Sequence, residues 1–427
     1  MDRGTFQAWA GDLAANGPSG FYQRGFFADY TPGYLYVLWL IGTVGNALGG
    51  IGDLIKLPAI LADVAIAWLV HSFVLELGGS RRAARIGAIL FLVNPVTWFD
   101  SAIWGQVDSV GVVFLLLGLR DLWRRRPERA SFFAVLAAIV KPQLGILVPI
   151  IAIILLRRHA YDWLRPAFPT AAADDPSTEL PPGPSGDPWF DRLGTGPIRL
   201  VSSAGVGLAT AFGLCLPFGL SLVGLLDLVA KAAGGYPYVA VNAYNPWALV
   251  SHDGNGLAEN GQWLRDAAGA RVAEVATLIA GIPAVYVGTA LLLAGILLVC
   301  LVLARWSGPA MLTLDAGWLG GATRILTDER RLLVVALTVL ALVFFVLPTR
   351  VHERYLYPAF ALGVILAATS VRWRIAYAAL AMASFANLYA ILLTPFYKNP
   401  GIKDWLGIGD AIRSPLGITL VVAGHVA

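Results

Sequence analysis

Asp29 stands inside an aromatic run, GFFADYTPGYLYVLW (Gly25 to Trp39), directly before an apolar segment. A carboxylate at a membrane boundary is a functional candidate by default, because burying it without a partner is costly. Pro32 fixes the backbone just after it. The carboxylate can then sit at the mouth of a cavity as a general base, with Tyr30 beside it as a sugar or acceptor contact and the following aromatics against an interface or a lipid chain. The plainer reading is an aspartate capping a helix in a surface loop.

A second cluster follows far along the chain. PTRVHERY (Pro348 to Tyr355) packs Arg350, His352, Glu353 and Arg354 between two apolar segments. Two arginines can clamp a phosphate bidentately, His352 can donate to it, and Glu353 can orient one of them. Against this stands a loop whose arginines snorkel to the interface. Lys141, placed before Pro142 in the apolar stretch Ser131 to Leu156, needs an anion or a set of backbone carbonyls, and a lipid phosphate is a candidate anion.

Groups suited to a sugar come in two patches. FDSAIWGQVDS supplies Asp100, Trp104, Gln106 and Asp108, and the segment after Gly235 supplies Tyr236, Tyr238, Asn242, Tyr244, Asn245 and Trp247. Carboxylates and amides bond hydroxyls, and indole or phenol faces stack on C–H faces. A capped helical hairpin and an interfacial aromatic belt are the structural alternatives. Asp2 falls on the same side of the membrane as these groups. A metal held by Asp100 and Asp108 is the weaker reading, since a hard cation takes several converging oxygens and no established loop motif is present.

These groups are set in a chain that is 57% hydrophobic and 14% charged, with a mean hydropathy of +0.69. Such a balance belongs to an all-α, polytopic integral membrane protein, and we expect about eleven transmembrane helices plus interfacial helices. The net charge of +4 reflects arginines between apolar spans, which orient a membrane protein and do not indicate a nucleic-acid partner. Cys215 and Cys300 lie in apolar runs and form no CxxC motif or disulfide framework.

Residues 1–56 read as a first loop carrying interfacial helices and Asp29, and 57–427 as a transmembrane helical domain. Within it, 157–199 is a flexible polar loop and 217–276 a long loop on the opposite side. Lys141-Pro142 is expected to break its stretch into two short helices, because proline removes a donor and its predecessor avoids the helical region.

Sidedness follows from the basic residues. Most of the 31 Lys and Arg lie in the loops after Leu77, Leu119, Leu156, Ala304 and Ser370. The positive-inside bias puts those loops in the cytoplasm and Asp29, the FDSAIWGQVDS apex, Lys141 and the His352 cluster outside. That parity predicts a first transmembrane helix ahead of Met1 that the sequence lacks, and the apolar ending ITLVVAGHVA hints at the same at the other terminus.

The order of these motifs resembles the GT-C superfamily of membrane glycosyltransferases. DYTPGYLY looks like the DYPP-type motif of dolichyl-phosphate-sugar-dependent enzymes. NPVTWFDSAIWGQVDS, KPQ and VHERYLYP look like segments of the bacterial relatives of the GPI mannosyltransferases, and the likeness runs from Asp2 to about Pro358. It implies inverting transfer of a sugar, mannose foremost, from a polyprenyl-phosphate donor to an acceptor glycan, lipid or protein. Asp29 would be the base and Asp2 a secondary acid, with His352, Glu353 and Arg354 attending the lipid phosphate. The lipid-linked sugar is a substrate, so no cofactor is implied, and the location is the outer face of a bacterial inner membrane. Thr31 departs from the motif where its first proline stands. A transporter or flippase of lipid-linked sugars is the competing class, and paired broken helices would mark it.

Overall fold

The computed structural model describes residues 2–160, 197–250, 266, 278–305, 310–314, 323–327, 329–393 and 403–427. It is helical almost throughout. Among the described residues, five helical stretches are long and apolar enough to cross a membrane: Gly52–Glu76, Pro142–His159, Ile198–Phe218, Ala284–Arg305 and Val371–Leu392. A sixth results if Arg81–Val93 and Pro95–Trp104, bent by 45°, count as one span. The protein is a membrane protein on this evidence. The other apolar helices are shorter or more charged, including Asp108–Trp123, Pro127–Val140, Glu329–Val346 and Tyr357–Thr369. Among the described residues the strands are two short antiparallel pairs, Leu278–Ile279 with Ile282–Pro283 and Ala310–Leu314 with Thr323–Thr327, minor additions to an otherwise all-α chain. Most of the polar stretch 157–199 and much of 217–276 lie outside the described residues.

The first two helices, α1 (Asp2–Asn16) and α2 (Pro32–Ala47), build a small core of their own. Phe6, Trp9, Ala10 and Leu13 of α1 are buried with Tyr34, Leu35, Leu38 and Ile41 of α2. One face of α1 packs tightly on α2. The approach is so close that a Cβ on Gly42 would lie 1.9 Å from the carbonyl oxygen of Ala10.

The main bundle starts with α3 (Leu57–Glu76) and α4 (Arg81–Val93), the second capped by Ser80, whose side chain accepts from the Ala83 N–H. Its basic end is held by ion pairs between elements distant in the chain. Glu76 at the end of α3 accepts from Arg120 Nε at 2.8 Å, and its backbone carbonyl accepts from Arg330. Arg158 reaches both the Leu122 carbonyl and Glu329, and Arg199 reaches Glu128. The ends of α3, α6 (Asp108–Trp123) and α8 (Leu147–His159) therefore meet the starts of α7 (Pro127–Val140) and the Glu329 helix at one level.

At the opposite end, two X-Pro steps interrupt the bundle. Lys141 is extended (φ −156°, ψ 117°) between α7 and the turn Pro142–Ile146, so Ser131 to Leu156 is two short helices, as the sequence reading held. Asn94-Pro95 makes a second break that we did not expect. The Asn94 side chain recaps the chain by accepting from the Val96 N–H at 3.0 Å and donates to the Tyr377 hydroxyl at 2.8 Å. Beyond it, Phe99–Trp104 coils into a π turn in which Phe99, Asp100 and Ser101 are buried and Ile103 is exposed. A further correction is α9 (Leu222–Gly234), an amphipathic helix capped by Ser221, inside what reads as loop. Val223 and Leu226 on it face outward.

Candidate functional site

One cavity of about 340 Å³ opens at the end of the bundle remote from the Glu76 network. Asp29, Tyr30 and Thr31 form one wall, Lys141, Pro142 and Gln143 the next, and the turn Pro348–Tyr355 a third. Val229, Ala232 and Ala233 from α9, followed by Tyr236, and Val285, Thr289 and Leu292 from α10 (Ala284–Arg305) close the apolar side.

The Asp29 wall is pinned residue by residue. Trp9 donates its indole N–H to the Phe27 carbonyl at 3.1 Å, and Tyr22 its hydroxyl to the Tyr30 carbonyl at 2.9 Å. Thr31 donates to the Ile139 carbonyl at 2.6 Å, two residues before Lys141. Gly33 lies so near that a Cβ there would sit 2.5 Å from backbone atoms of Ile139 and Val140. Asp29 is thereby locked to the wall that carries Lys141.

The Arg350–Tyr355 wall is fixed by the Tyr/Asn-rich segment. The Val241 N–H donates to the Val351 carbonyl at 2.9 Å and the Arg350 N–H to the Tyr238 carbonyl at 3.1 Å. Asn245 Nδ2 donates to the Phe345 carbonyl at 3.0 Å, and Trp247 Nε1 to the Leu347 carbonyl at 2.8 Å. Arg350 and Asn242 both adopt left-handed backbone, φ 63° and 68°, a conformation that costs side-chain-bearing residues energy and persists only where the surroundings enforce it.

Each cation lining the cavity has a carboxylate behind it. Lys141 Nζ contacts both Asp108 oxygens at 2.7 Å and lies 5.4 Å from the centre of the Tyr355 ring. Arg350 grips Asp266 with two nitrogens, Nη2 to Oδ1 at 3.2 Å. Arg354 Nη1 reaches Glu353 Oε1 at 2.7 Å. Paired this way, three cations can be buried at tolerable cost, since isolated buried charges are strongly disfavoured. Burial, with Arg354 and Lys141 adding repulsion, holds the His352 imidazole well below its ordinary range and therefore neutral. Its ring packs edge-on against Tyr236, 5.0 Å between centres.

Of the residues singled out from the sequence, the structure gathers Asp29, Tyr30, Lys141, Arg350, His352 and Arg354 around this space. Others are placed elsewhere. Asp100, Gln106 and Asp108 are fully buried and, with Trp104, do not line the cavity; Asp108 is the counterion of Lys141. Tyr244, Asn245 and Trp247 are buried struts, with the Tyr244 N–H donating to Asn387 Oδ1 at 2.9 Å. They cannot face a sugar from there. Glu353 stands behind Arg354, not in the wall. The Asp2 side chain lies outside the described residues. Sequence reasoning missed Asp266, Thr31, Gly33 and Tyr355. Gly33 and Thr31 belong to the quoted motif and were legible as a tight approach; Asp266, in WLRDAAG, carries no local signal.

No protein-family model and no curated protein matches this chain.

Proposed function

We propose that the protein is a polytopic glycosyltransferase of the GT-C type, with about eleven helices entering the bilayer. It moves a sugar, mannose foremost, from a polyprenyl-phosphate donor to an acceptor hydroxyl at the outer face of a bacterial inner membrane. The observation that carries this reading is that one cavity is lined by Asp29 together with the cations Lys141, Arg350 and Arg354. Its volume, about 340 Å³, fits a small ligand buried in a preformed site.

In this scheme the acceptor oxygen attacks the anomeric carbon as the bond from that carbon to the phosphate oxygen breaks, so the anomeric centre inverts. Asp29 takes the hydroxyl proton, a contribution of about two to four orders of magnitude in rate. The bond electrons leave with the lipid phosphate, and the cations stabilise the charge developing there without reorganising. Neutral His352 can donate a hydrogen bond to the phosphate and adds no charge. The basic end of the bundle faces the cytoplasm under the positive-inside bias, which leaves the cavity outside.

One observation favours a second reading. The break at Asn94-Pro95 gives the bundle two interrupted helices, a feature of transporters. Reconstituted vesicles separate the two. Labelled sugar moving from polyprenyl phosphate to an acceptor with wild type and not with Asp29→Asn supports the transferase. Label crossing the bilayer unchanged, alike in both proteins, supports a carrier and removes Asp29 as base.

A further inference from the structure

The three ion pairs around the cavity share one orientation. The side chains of Lys141, Arg350 and Arg354 are 6%, 20% and 12% exposed, while those of Asp108, Asp266 and Glu353 are 0% exposed. All three cations line the cavity and none of the three acids does. The site therefore presents the positive ends of three neutral pairs, with Asp29 as a further acid lining the same cavity.

This arrangement limits how much negative charge can enter. Attraction of a bound anion to fixed pairs grows in proportion to its charge, whereas the cost of removing it from water grows as the square of that charge. Three unpaired cations would favour a dianion. Three cations already neutralised, beside Asp29, favour a monoanion.

We propose that the buried carboxylates Asp108, Asp266 and Glu353 set the charge capacity of the cavity at a single negative charge, so that it takes a lipid phosphodiester and rejects the phosphomonoester. The inference rests on the reading of the cavity as a lipid-phosphate site. It bears on turnover: cleaving the sugar from a phosphodiester leaves a phosphomonoester, which ionises a second time near about pH 6 and is largely a dianion at neutral pH. The site then holds the donor more tightly than its own product, and the second charge that appears on transfer drives release. The three acids touch neither lipid nor sugar; they act through the cations they pair.

The test compares three probes of equal chain length on the full chain in lipid nanodiscs: methyl polyprenyl phosphodiester, polyprenyl phosphomonoester and uncharged polyprenol. The pH is held about two units above the second phosphate ionisation. Wild type should bind the diester at least about tenfold more tightly than the monoester, a free-energy gap of about 1.4 kcal/mol. Glu353→Gln, which keeps the shape and adds one net positive charge behind the cavity wall, should shrink that ratio by about tenfold. Asp266→Asn, acting through Arg350, provides the same readout on a separate pair should the first variant not fold. A monoester that binds wild type as tightly as the diester, or a ratio unmoved in both variants, overturns the charge limit and leaves the lipid-phosphate reading standing. Polyprenol binding as tightly as both phosphates overturns that reading too.

Discussion

Thr31 and Ile139 are joined across 108 residues of sequence by a buried 2.6 Å hydrogen bond, hydroxyl to carbonyl. That bond, with Gly33 pressed on the same backbone, ties the segment carrying Asp29 to the break carrying Lys141. Gly33→Ala should place a methyl group inside the Ile139 and Val140 backbone and force the walls apart, at about 1–3 kcal/mol of stability. Thr31→Val removes only the hydrogen bond, about 0.5–1.5 kcal/mol. Thermal unfolding in detergent should rank Gly33→Ala below Thr31→Val, and transfer should fall more steeply than stability in both. Equal, wild-type transfer in the two variants would mean that the wall spacing is irrelevant to the chemistry.

Asp29→Asn should lower transfer by about two to four orders of magnitude, the range for a lost general base, and leave binding of the phosphodiester probe within about twofold. Asparagine keeps the shape and cannot take a proton. Single-turnover transfer with donor pre-bound separates the two quantities. A variant that loses binding and transfer together would make Asp29 a structural residue.

Much of this was legible because it is local. Apolar runs, X-Pro steps and arginine-rich loops are properties of neighbouring residues, so long apolar helices such as Leu57–Glu76 and Ala284–Arg305 and the Lys141 break could be read directly, whereas Leu222–Gly234 read as loop. The candidate site was legible only as far as its motifs reach. The sequence shows that Lys141 needs an anion, but not that the anion is Asp108, 33 residues earlier, since that pairing depends on how α6 packs against the broken helix. The same limit explains Tyr244, Asn245 and Trp247. Their polarity suits a sugar as well as it suits the Leu347 and Phe345 carbonyls, and only the tertiary contact decides. Asn94-Pro95 obeys the rule applied to Lys141-Pro142 and was legible by it; an apolar flank on both sides hid it.

Lys141 and Asp108 should behave as a unit. Removing one partner leaves the other charged and buried, so Asp108→Asn and Lys141→Gln should each cost about 3–5 kcal/mol. The double variant should recover a large part of that loss, because two neutral amides of similar length remain. A double-variant cycle by chemical denaturation reads the coupling. Additive losses would show that the 2.7 Å contacts contribute little to the folded state.

His352 predicts a pH dependence of definite sign. The imidazole is held neutral in the folded protein, well below the range in which an exposed histidine titrates, because burial and the nearby Arg354 and Lys141 disfavour its cation. In the unfolded chain it takes up a proton near pH 6.5, about its ordinary value. The unfolded state therefore binds the extra proton first, and stability rises with pH through this window. The contribution is fully present above about pH 6.5 and is lost progressively as pH falls below it. His352→Gln keeps a hydrogen-bonding side chain that does not titrate, so its unfolding midpoint should be flatter than wild type on the acid side of about 6.5 and parallel to it above. Midpoints of wild type and variant that run parallel through the whole acid range would mean that His352 is free to protonate in the folded state.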